Sequence, residues 1–123
     1  MIIAPFNFSY LCSMIILSLR LLRKTRINGI TIFPFIFLRE SAFKENKILI
    51  NHEKIHLRQQ LELLIIPFYF LYVINYLFNR LKYKNHYQAY LNIAFEKEAY
   101  CFENDQYYLS KRKWYSWINF YSV

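Results

Sequence analysis

The chain has 123 residues and a formal net charge of +8, and 56% of its residues are hydrophobic and 21% aromatic. Disordered chains are poor in aromatic residues, so this composition excludes disorder, and the length allows one domain with one modest core. A strongly basic chain suits nucleic acid or an anionic membrane surface. The basic clusters, at residues 20–26, 80–84 and 111–113, each adjoin a hydrophobic stretch, and no nucleic-acid-binding motif is present. The sequence therefore favours a membrane over nucleic acid as partner.

The N-terminal stretch, residues 1–19, contains no charged side chain and is followed by the first basic cluster. A run of this length is just enough to cross about 30 Å of hydrocarbon as a helix, and the basic flank would stay in the cytoplasm. We therefore predict a hydrophobic N-terminal segment, residues 1–26, as a candidate membrane anchor, and a single helical domain over residues 27–123. The alternative for the first run is a buried helix.

A short β region is predicted before the main helix. Gly29, the only glycine of the chain, marks a turn, and residues 30–38 are rich in β-branched and aromatic residues. This pattern predicts a strand, and Pro34 within it favours the edge of a sheet. Residues 47–50 either finish a second strand or begin the following helix.

The pattern is helical over residues 49–66, where Pro67 is expected to end or kink the helix, and it carries His52-Glu53-x-x-His56. On a helix, two histidines four residues apart lie on one face, so both imidazoles can bind one Zn²⁺. Glu53 lies about 100° around the helix from His52, beside the metal, where a general base must stand to deprotonate water. The motif therefore predicts zinc on His52 and His56 with Glu53 as the catalytic base.

A catalytic zinc site needs a third protein ligand. His52-Glu53-x-x-His56 followed by Glu96-x-x-Ala99, on a helix predicted for residues 87–102, resembles the gluzincin metallopeptidases. The resemblance implies that Glu96 is the third ligand. Glu98 is the rival ligand and His86 a weaker one.

The resemblance departs from its family at Tyr100, where gluzincins carry an aspartate. Such a carboxylate orients a ligating histidine and fixes its tautomer. The Tyr100 hydroxyl could accept the imidazole proton instead, or could point at substrate. In gluzincins an edge strand beside the metal helix binds extended substrate, so the resemblance implies the same role for residues 30–38; the alternative is an apolar strand that only packs on the motif helix. Gln59 and Gln60 follow the motif and are expected to contact substrate or to lie on the surface.

Residues 63–78 carry no charge and are followed by Arg80 and Lys82. The run is short of the twenty or so residues usually needed to span a bilayer. It could cross a thin bilayer, lie in the interface with the basic side chains reaching the headgroups, or form the central buried helix. The tail, residues 107–123, mixes aromatic and basic residues, which is typical of a membrane interface or of a short helix that closes the core.

These patterns predict a mainly α fold, with a minor β part, in which the motif helix packs on a second, glutamate-bearing helix and an edge strand or hairpin precedes it. The chain is also similar, over residues 27–120, to small bacterial proteins of unassigned function that are metallopeptidase-like by motif. The expected function is that of a zinc metallopeptidase with a peptide or protein substrate, associated with the bacterial inner membrane. The alternatives are a small membrane protein that binds zinc without catalysis, and a helical module that binds a membrane or a partner.

Overall fold

The computed structural model describes residues 16–18 and 20–121, which form a three-stranded sheet packed against helices. The strands are β1, Ile16–Ser18, β2, Gly29–Ile32, and β3, Phe35–Leu38. The α-helices are α1, Lys47–Leu63, α2, Ile65–Lys82, α3, His86–Leu91, α4, Ala94–Phe102, and α5, Tyr108–Lys111. Short 3₁₀ helices occupy Arg20–Lys24, Ser41–Glu45 and Ser116–Phe120. This architecture confirms the mainly α fold with a minor β part.

The sheet has the order β1-β3-β2, so β3 is central and β2 lies at an edge. β1 runs parallel to β3 and β2 runs antiparallel to it, with Thr31 opposite Ile36. Of the two predicted forms, an edge strand or a hairpin, the structure has the hairpin: residues 30–38 do not form one continuous strand, because the chain turns at Phe33-Pro34 between β2 and β3. Proline has no N–H to give to a sheet, which suits it to the turn. Of the predicted anchor, residues 1–26, only β1 and residues 20–26 are described, and Arg20–Lys24 form a 3₁₀ helix; the remaining residues lie outside the described part of the chain.

Helix α1 lies between the sheet and α4 and contacts both. It begins at Lys47, so residues 47–50 belong to the helix, and the Asn46 side chain caps it by accepting a hydrogen bond from the Leu49 amide. Ile50 and Leu57 pack with Ile36 and Leu38 of the sheet on one side of the helix. On the other side Ile55 packs with Ala99 and Tyr108. The motif helix therefore packs on the glutamate-bearing helix, as predicted.

The helix predicted up to Pro67 ends earlier, at Leu63. Leu64 has a φ of 67°, and the chain bends by 111° between α1 and α2. Pro67 lies in the first turn of α2, where a missing N–H costs little because those amides have no partner within the helix. The prediction of a break was right in kind and wrong in position.

A second break divides the helix predicted over residues 87–102 into α3 and α4. Ile93 has extended backbone and its side chain is buried in an aromatic cluster with Phe68 and Phe95. The Asn75 side chain, on α2, accepts a hydrogen bond of 2.8 Å from the Ala94 amide and so caps α4 from outside. The cap comes from another helix, so local sequence did not indicate it.

Among residues 16–18 and 20–121, no single helix is both long and apolar enough to cross a membrane; α1 and α2 meet that test only as a bent pair. Helix α2 is not the central buried helix, because only Phe68 of its 18 residues is buried. In the tail, Trp117 joins the core and Arg112 is buried, whereas Trp114 and Tyr115 are exposed.

Candidate metal centre

One buried group of side chains joins α1 to α4. Nε2 of His52 lies 3.2 Å from Oε2 of Glu96, and Nε2 of His56 lies 3.1 Å from Oε1 of Glu96. The two Nε2 atoms are 3.2 Å apart. All three residues are buried, at 5–6% exposure. His52, His56 and Glu96 therefore form a group that could hold a metal ion, with one ligand atom from each residue within 4.8 Å of the others.

The outer nitrogen of each imidazole has an oxygen partner of its own. Nδ1 of His52 lies 2.8 Å from Oε2 of Glu103, and Nδ1 of His56 lies 2.8 Å from Oε1 of Gln59. Because both partners are acceptors, each Nδ1 carries a proton and donates it. Nε2 of each imidazole is then the nitrogen that faces the shared group, and an Nε2 without a proton is the atom that could bind a metal.

The carboxylate on His52 is Glu103, and Tyr100 does not fill this role. Tyr100 contacts the His52 ring edge-on, with 4.5 Å between ring centroids, and its hydroxyl pairs with that of Tyr90 at 2.9 Å. Glu103 follows α4 directly and reaches the same imidazole from the next turn. Sequence reasoning missed Glu103 because it followed the register of the family resemblance, which ends at residue 100.

Glu98, the rival ligand, points away from the histidines. Its carboxylate accepts hydrogen bonds from Arg112, Tyr108 and Gln59. The Gln59 amide also donates to the Phe95 carbonyl at 3.1 Å, so its nitrogen faces two acceptors and its oxygen is left for His56. Glu98 therefore acts on the site through Gln59, whose orientation it fixes.

Arg112 lies between two carboxylates on this side of the site. It donates to Glu98 and, through both terminal nitrogens, to Glu62 of α1 at 3.0 Å. All three charged side chains are fully buried. Burial alone would lower the pKa of Arg112, but its bonds with the two carboxylates raise the pKa well above its usual range, so the charge is permanent. In the sequence Arg112 belongs to the basic cluster at residues 111–113, and in the structure its side chain is buried in the core.

Two tyrosine hydroxyls contact the Glu96 carboxylate. Tyr72, on α2, donates to Oε1 at 3.1 Å, and Tyr90, on α3, donates to Oε2 at 3.2 Å. Burial and then the Glu96 charge raise the pKa of both tyrosines far above the usual value, so both hydroxyls keep their protons. Glu96 is thus held by donors from three directions and accepts on both oxygens.

The charges of His56 and Glu96 strongly affect each other's pKa values. Burial alone would lower the pKa of His56, but the charge of Glu96 and its hydrogen bond outweigh burial and raise the pKa from 6.5 to about 9. Burial alone would raise the pKa of Glu96, but His56 and His52 outweigh it and hold that pKa far below its usual range. A proton on His56 therefore offsets the charge of Glu96 within this buried group.

Glu53 is buried beside the edge strand. Its Oε2 accepts a hydrogen bond of 2.5 Å from Oγ1 of Thr31, and the same hydroxyl lies 3.2 Å from the Glu53 carbonyl oxygen. Gly29 lies so close that a Cβ added there would be 3.2 Å from Oε1 of Glu53. The only glycine of the chain thus leaves room for this carboxylate against β2.

The outer edge of β2 is already paired over part of its length. The Gln60 amide donates to the Thr31 carbonyl at 2.7 Å and accepts from the Phe33 amide at 2.7 Å, as a neighbouring strand would. The Tyr69 hydroxyl also donates to the Thr31 carbonyl. Gln59 and Gln60 are 0% and 1% exposed, so the expectation that they lie on the surface is wrong. The Thr31 carbonyl and the Phe33 amide, which an added substrate strand would use, are therefore already hydrogen-bonded within the protein.

His86, the weaker ligand candidate, lies outside the group. It is exposed at the start of α3, and its Nδ1 pairs with the Tyr76 hydroxyl at 2.6 Å.

No protein-family model, curated protein or solved structure matches this chain.

Proposed function

We propose that this protein is a zinc-dependent metallopeptidase in which His52, His56 and Glu96 hold the ion. Two imidazole nitrogens and one carboxylate are a donor set typical of catalytic zinc, which keeps a further position open. Two ligands of a tetrahedral zinc, each 2.0 to 2.1 Å from the ion, are about 3.3 Å apart. The observed separations of 3.1–3.2 Å between the facing ligand atoms suit such an ion.

The observation that carries the proposal is the fixed orientation of both imidazoles. Glu103 and Gln59 accept hydrogen bonds from the two Nδ1 atoms, so the Nε2 atoms of both histidines face the Glu96 carboxylate. A pair of histidines that only filled a core would not need both Nε2 atoms turned towards each other and towards Glu96. These ligands would release protons on binding zinc, because His56 has a pKa of about 9 without it.

When bound, zinc would acidify a water molecule and polarise a peptide carbonyl. Glu53 would accept a proton from the attacking water at its carboxylate and pass it to the leaving amine nitrogen. Thr31 orients this carboxylate through the bond to Oε2, which leaves Oε1 for the proton. Tyr72 and Tyr90 would hold Glu96 in place while it binds the ion.

A comparison of Glu53→Gln with Glu45→Gln tests the proposal. Glu45 is exposed in the 3₁₀ helix before α1, so it offers the same chemical change away from the site. We expect about one zinc per chain in the wild type and both variants, measured by mass spectrometry of the metal. Hydrolysis of a random peptide library should occur in the wild type and in Glu45→Gln and be lost in Glu53→Gln. Absence of zinc from the wild type would refute the proposal.

The second candidate function is zinc binding without hydrolysis. The pairing of the β2 edge by Gln60 and Tyr69 favours it, because it occupies groups that an extended substrate would use. Under this alternative the wild type holds zinc and cleaves no member of the library. The metal content and the cleavage readout therefore separate the two functions.

A further inference from the structure

Helix α2 has an apolar outward face that no other part of the described chain covers. Five large side chains on it are between 51% and 86% exposed: Ile66, Phe70, Val73, Leu77 and Leu81. At 3.6 residues per turn they lie within an arc of about 80°, along a length of about 22 Å. Phe78, 67% exposed, flanks this stripe. An uninterrupted apolar stripe of this length on a helix surface marks an interaction site.

The opposite face of the same helix packs against the rest of the protein. Phe68 packs in the aromatic core, and Tyr72 donates to Glu96 of the candidate metal group. Asn75 caps α4. The inner face of helix α2 is therefore held by contacts with the core and with the metal group. The apolar side chains lie on the other face of the same helix, which these contacts keep in place.

The charges at the end of the helix indicate what covers the stripe. Helix α2 contains no acidic residue, and Arg80 and Lys82 are exposed in its last turn. Lys84 follows them. A shallow apolar hollow of about 460 Å³ lies at this end, lined by Ile74, Leu77, Phe78, Arg80 and Leu81. An apolar stripe beside basic side chains suits acyl chains beside anionic headgroups.

A second copy of the chain is a poorer occupant. Each copy carries a formal net charge of +8, so the approach of two copies is opposed by their overall repulsion. Anionic lipid offers the opposite charge and the apolar phase together.

We propose that the outward face of α2 lies in the interface of an anionic bilayer, with the helix parallel to the membrane plane. In this arrangement Phe70, Val73 and Leu77 enter the boundary between headgroups and acyl chains, and Arg80, which adjoins the stripe, contacts lipid phosphates. The lipid-binding surface is independent of hydrolysis and of zinc, since none of its residues belongs to the metal group.

Vesicle binding by a double variant tests the surface. Phe70→Gln combined with Leu77→Gln removes two side chains of the stripe, and Ile48→Gln combined with Tyr107→Gln is the matched control. Ile48 and Tyr107 are 45% and 77% exposed, near the start of α1. On vesicles of phosphatidylglycerol and phosphatidylcholine we expect the first variant to bind about tenfold or more weakly than the wild type, and the control to bind like the wild type. Equal binding of both variants, or no binding of the wild type, would overturn the proposal.

A fluorescent label reports the position of the face directly, which matters because the uncharged residues 1–15 also favour lipid. Leu77→Cys and Tyr107→Cys are labelled separately, in chains where Cys12 and Cys101 are replaced by serine. Vesicles should shift the emission to shorter wavelength at position 77 and leave it unchanged at position 107. A label at position 77 that stays in water on vesicle-bound protein would overturn the proposal. A second result would also overturn the proposal: a wild type that does not bind vesicles and forms a dimer without lipid, where Phe70→Gln combined with Leu77→Gln dissociates the dimer.

Discussion

Oε2 of Glu103 accepts a hydrogen bond of 2.8 Å from Nδ1 of His52, and this contact sets which nitrogen of the imidazole faces Glu96. Removal of the carboxylate frees His52 to rotate or to change tautomer. We expect Glu103→Ala to weaken zinc binding by about 10- to 100-fold. Glu103→Gln, which keeps an acceptor, should weaken it less. Competition with a chromogenic chelator measures both, and wild-type affinity in Glu103→Ala would contradict the assigned role.

Two glutamates two residues apart on α4 have opposite expected roles. Glu96→Gln removes the carboxylate that both histidines contact, so it should abolish stoichiometric zinc binding. Glu98→Gln should retain zinc, because Glu98 contacts Arg112, Tyr108 and Gln59 and not the histidines. Metal content measured on the two purified variants provides the test. Loss of zinc in Glu98→Gln with retention in Glu96→Gln would reverse the ligand assignment.

Arg112 is expected to be a large contributor to stability. Arg112→Met would leave the carboxylates of Glu62 and Glu98 buried without their cation. Breaking a buried ion pair in this way costs about 3 to 5 kcal/mol, so the free energy of unfolding should fall by that order. Lys113→Met is the control, since Lys113 is the exposed neighbour. Urea denaturation compares the two, and similar midpoints would argue against the buried network.

The stability of the metal-free protein should depend on pH in a defined direction. The pKa of His56 is raised from 6.5 to about 9, so its contribution is complete below pH 6.5 and is lost as the pH rises through 9. The pKa of Glu96 is lowered, so its contribution is present above its ordinary value of 4.5 and is lost as the pH falls. These two groups therefore favour a maximum between pH 4.5 and 6.5.

Urea denaturation with a chelator, at a series of pH values, measures this dependence. The free energy of unfolding should fall between pH 6.5 and 9 by on the order of a few kcal/mol. Saturating zinc should remove the fall, because the metal replaces the proton between the ligands. A stability that rises over this interval without metal would contradict the coupling of His56 to Glu96.

Gly29 is expected to matter for hydrolysis and not for zinc. In Gly29→Ala the added Cβ would lie 3.2 Å from Oε1 of Glu53 and 3.3 Å from Cδ2 of Leu38, so the carboxylate must shift by a few tenths of an ångström. A displaced base should lower kcat by about tenfold or more while metal content stays unchanged. Asn28→Ala, at the exposed neighbouring position, is the control. Unchanged kcat in Gly29→Ala would mean that the position of Glu53 is not critical.

The sequence by itself determined what depends on local periodicity. A separation of four residues on a helix put His52 and His56 on one face. The same helix geometry put Glu53 about 100° around the helix from His52. The β-branched residues around Pro34 predicted the β region, and the helical pattern of the later residues predicted the mainly α fold. These features need only the geometry of one element, so a linear pattern was enough to predict them.

Tertiary structure decided which side chains meet across elements. Glu96 rather than Glu98 faces the histidines because the packing of α1 on α4 turns Glu98 towards Arg112. Glu103 reaches His52 because the chain after α4 passes the start of α1, where the Asn51 side chain donates to the carbonyl oxygens of residues 102, 103 and 105. No spacing in the sequence encodes these meetings, since each depends on the angle and contact face of two packed elements.

The backbone breaks and the exposed face of α2 were decided in the same way. The bend at Leu64 allows Phe68 to enter the aromatic core, and the cap from Asn75 starts α4. The sequence marked residues 63–78 as an uncharged, mostly apolar run but did not indicate which side of the helix packs inward. Only the fold separates Tyr72, which contacts Glu96, from Val73 and Leu77, which remain exposed, because burial is a property of the packed molecule and not of the residue.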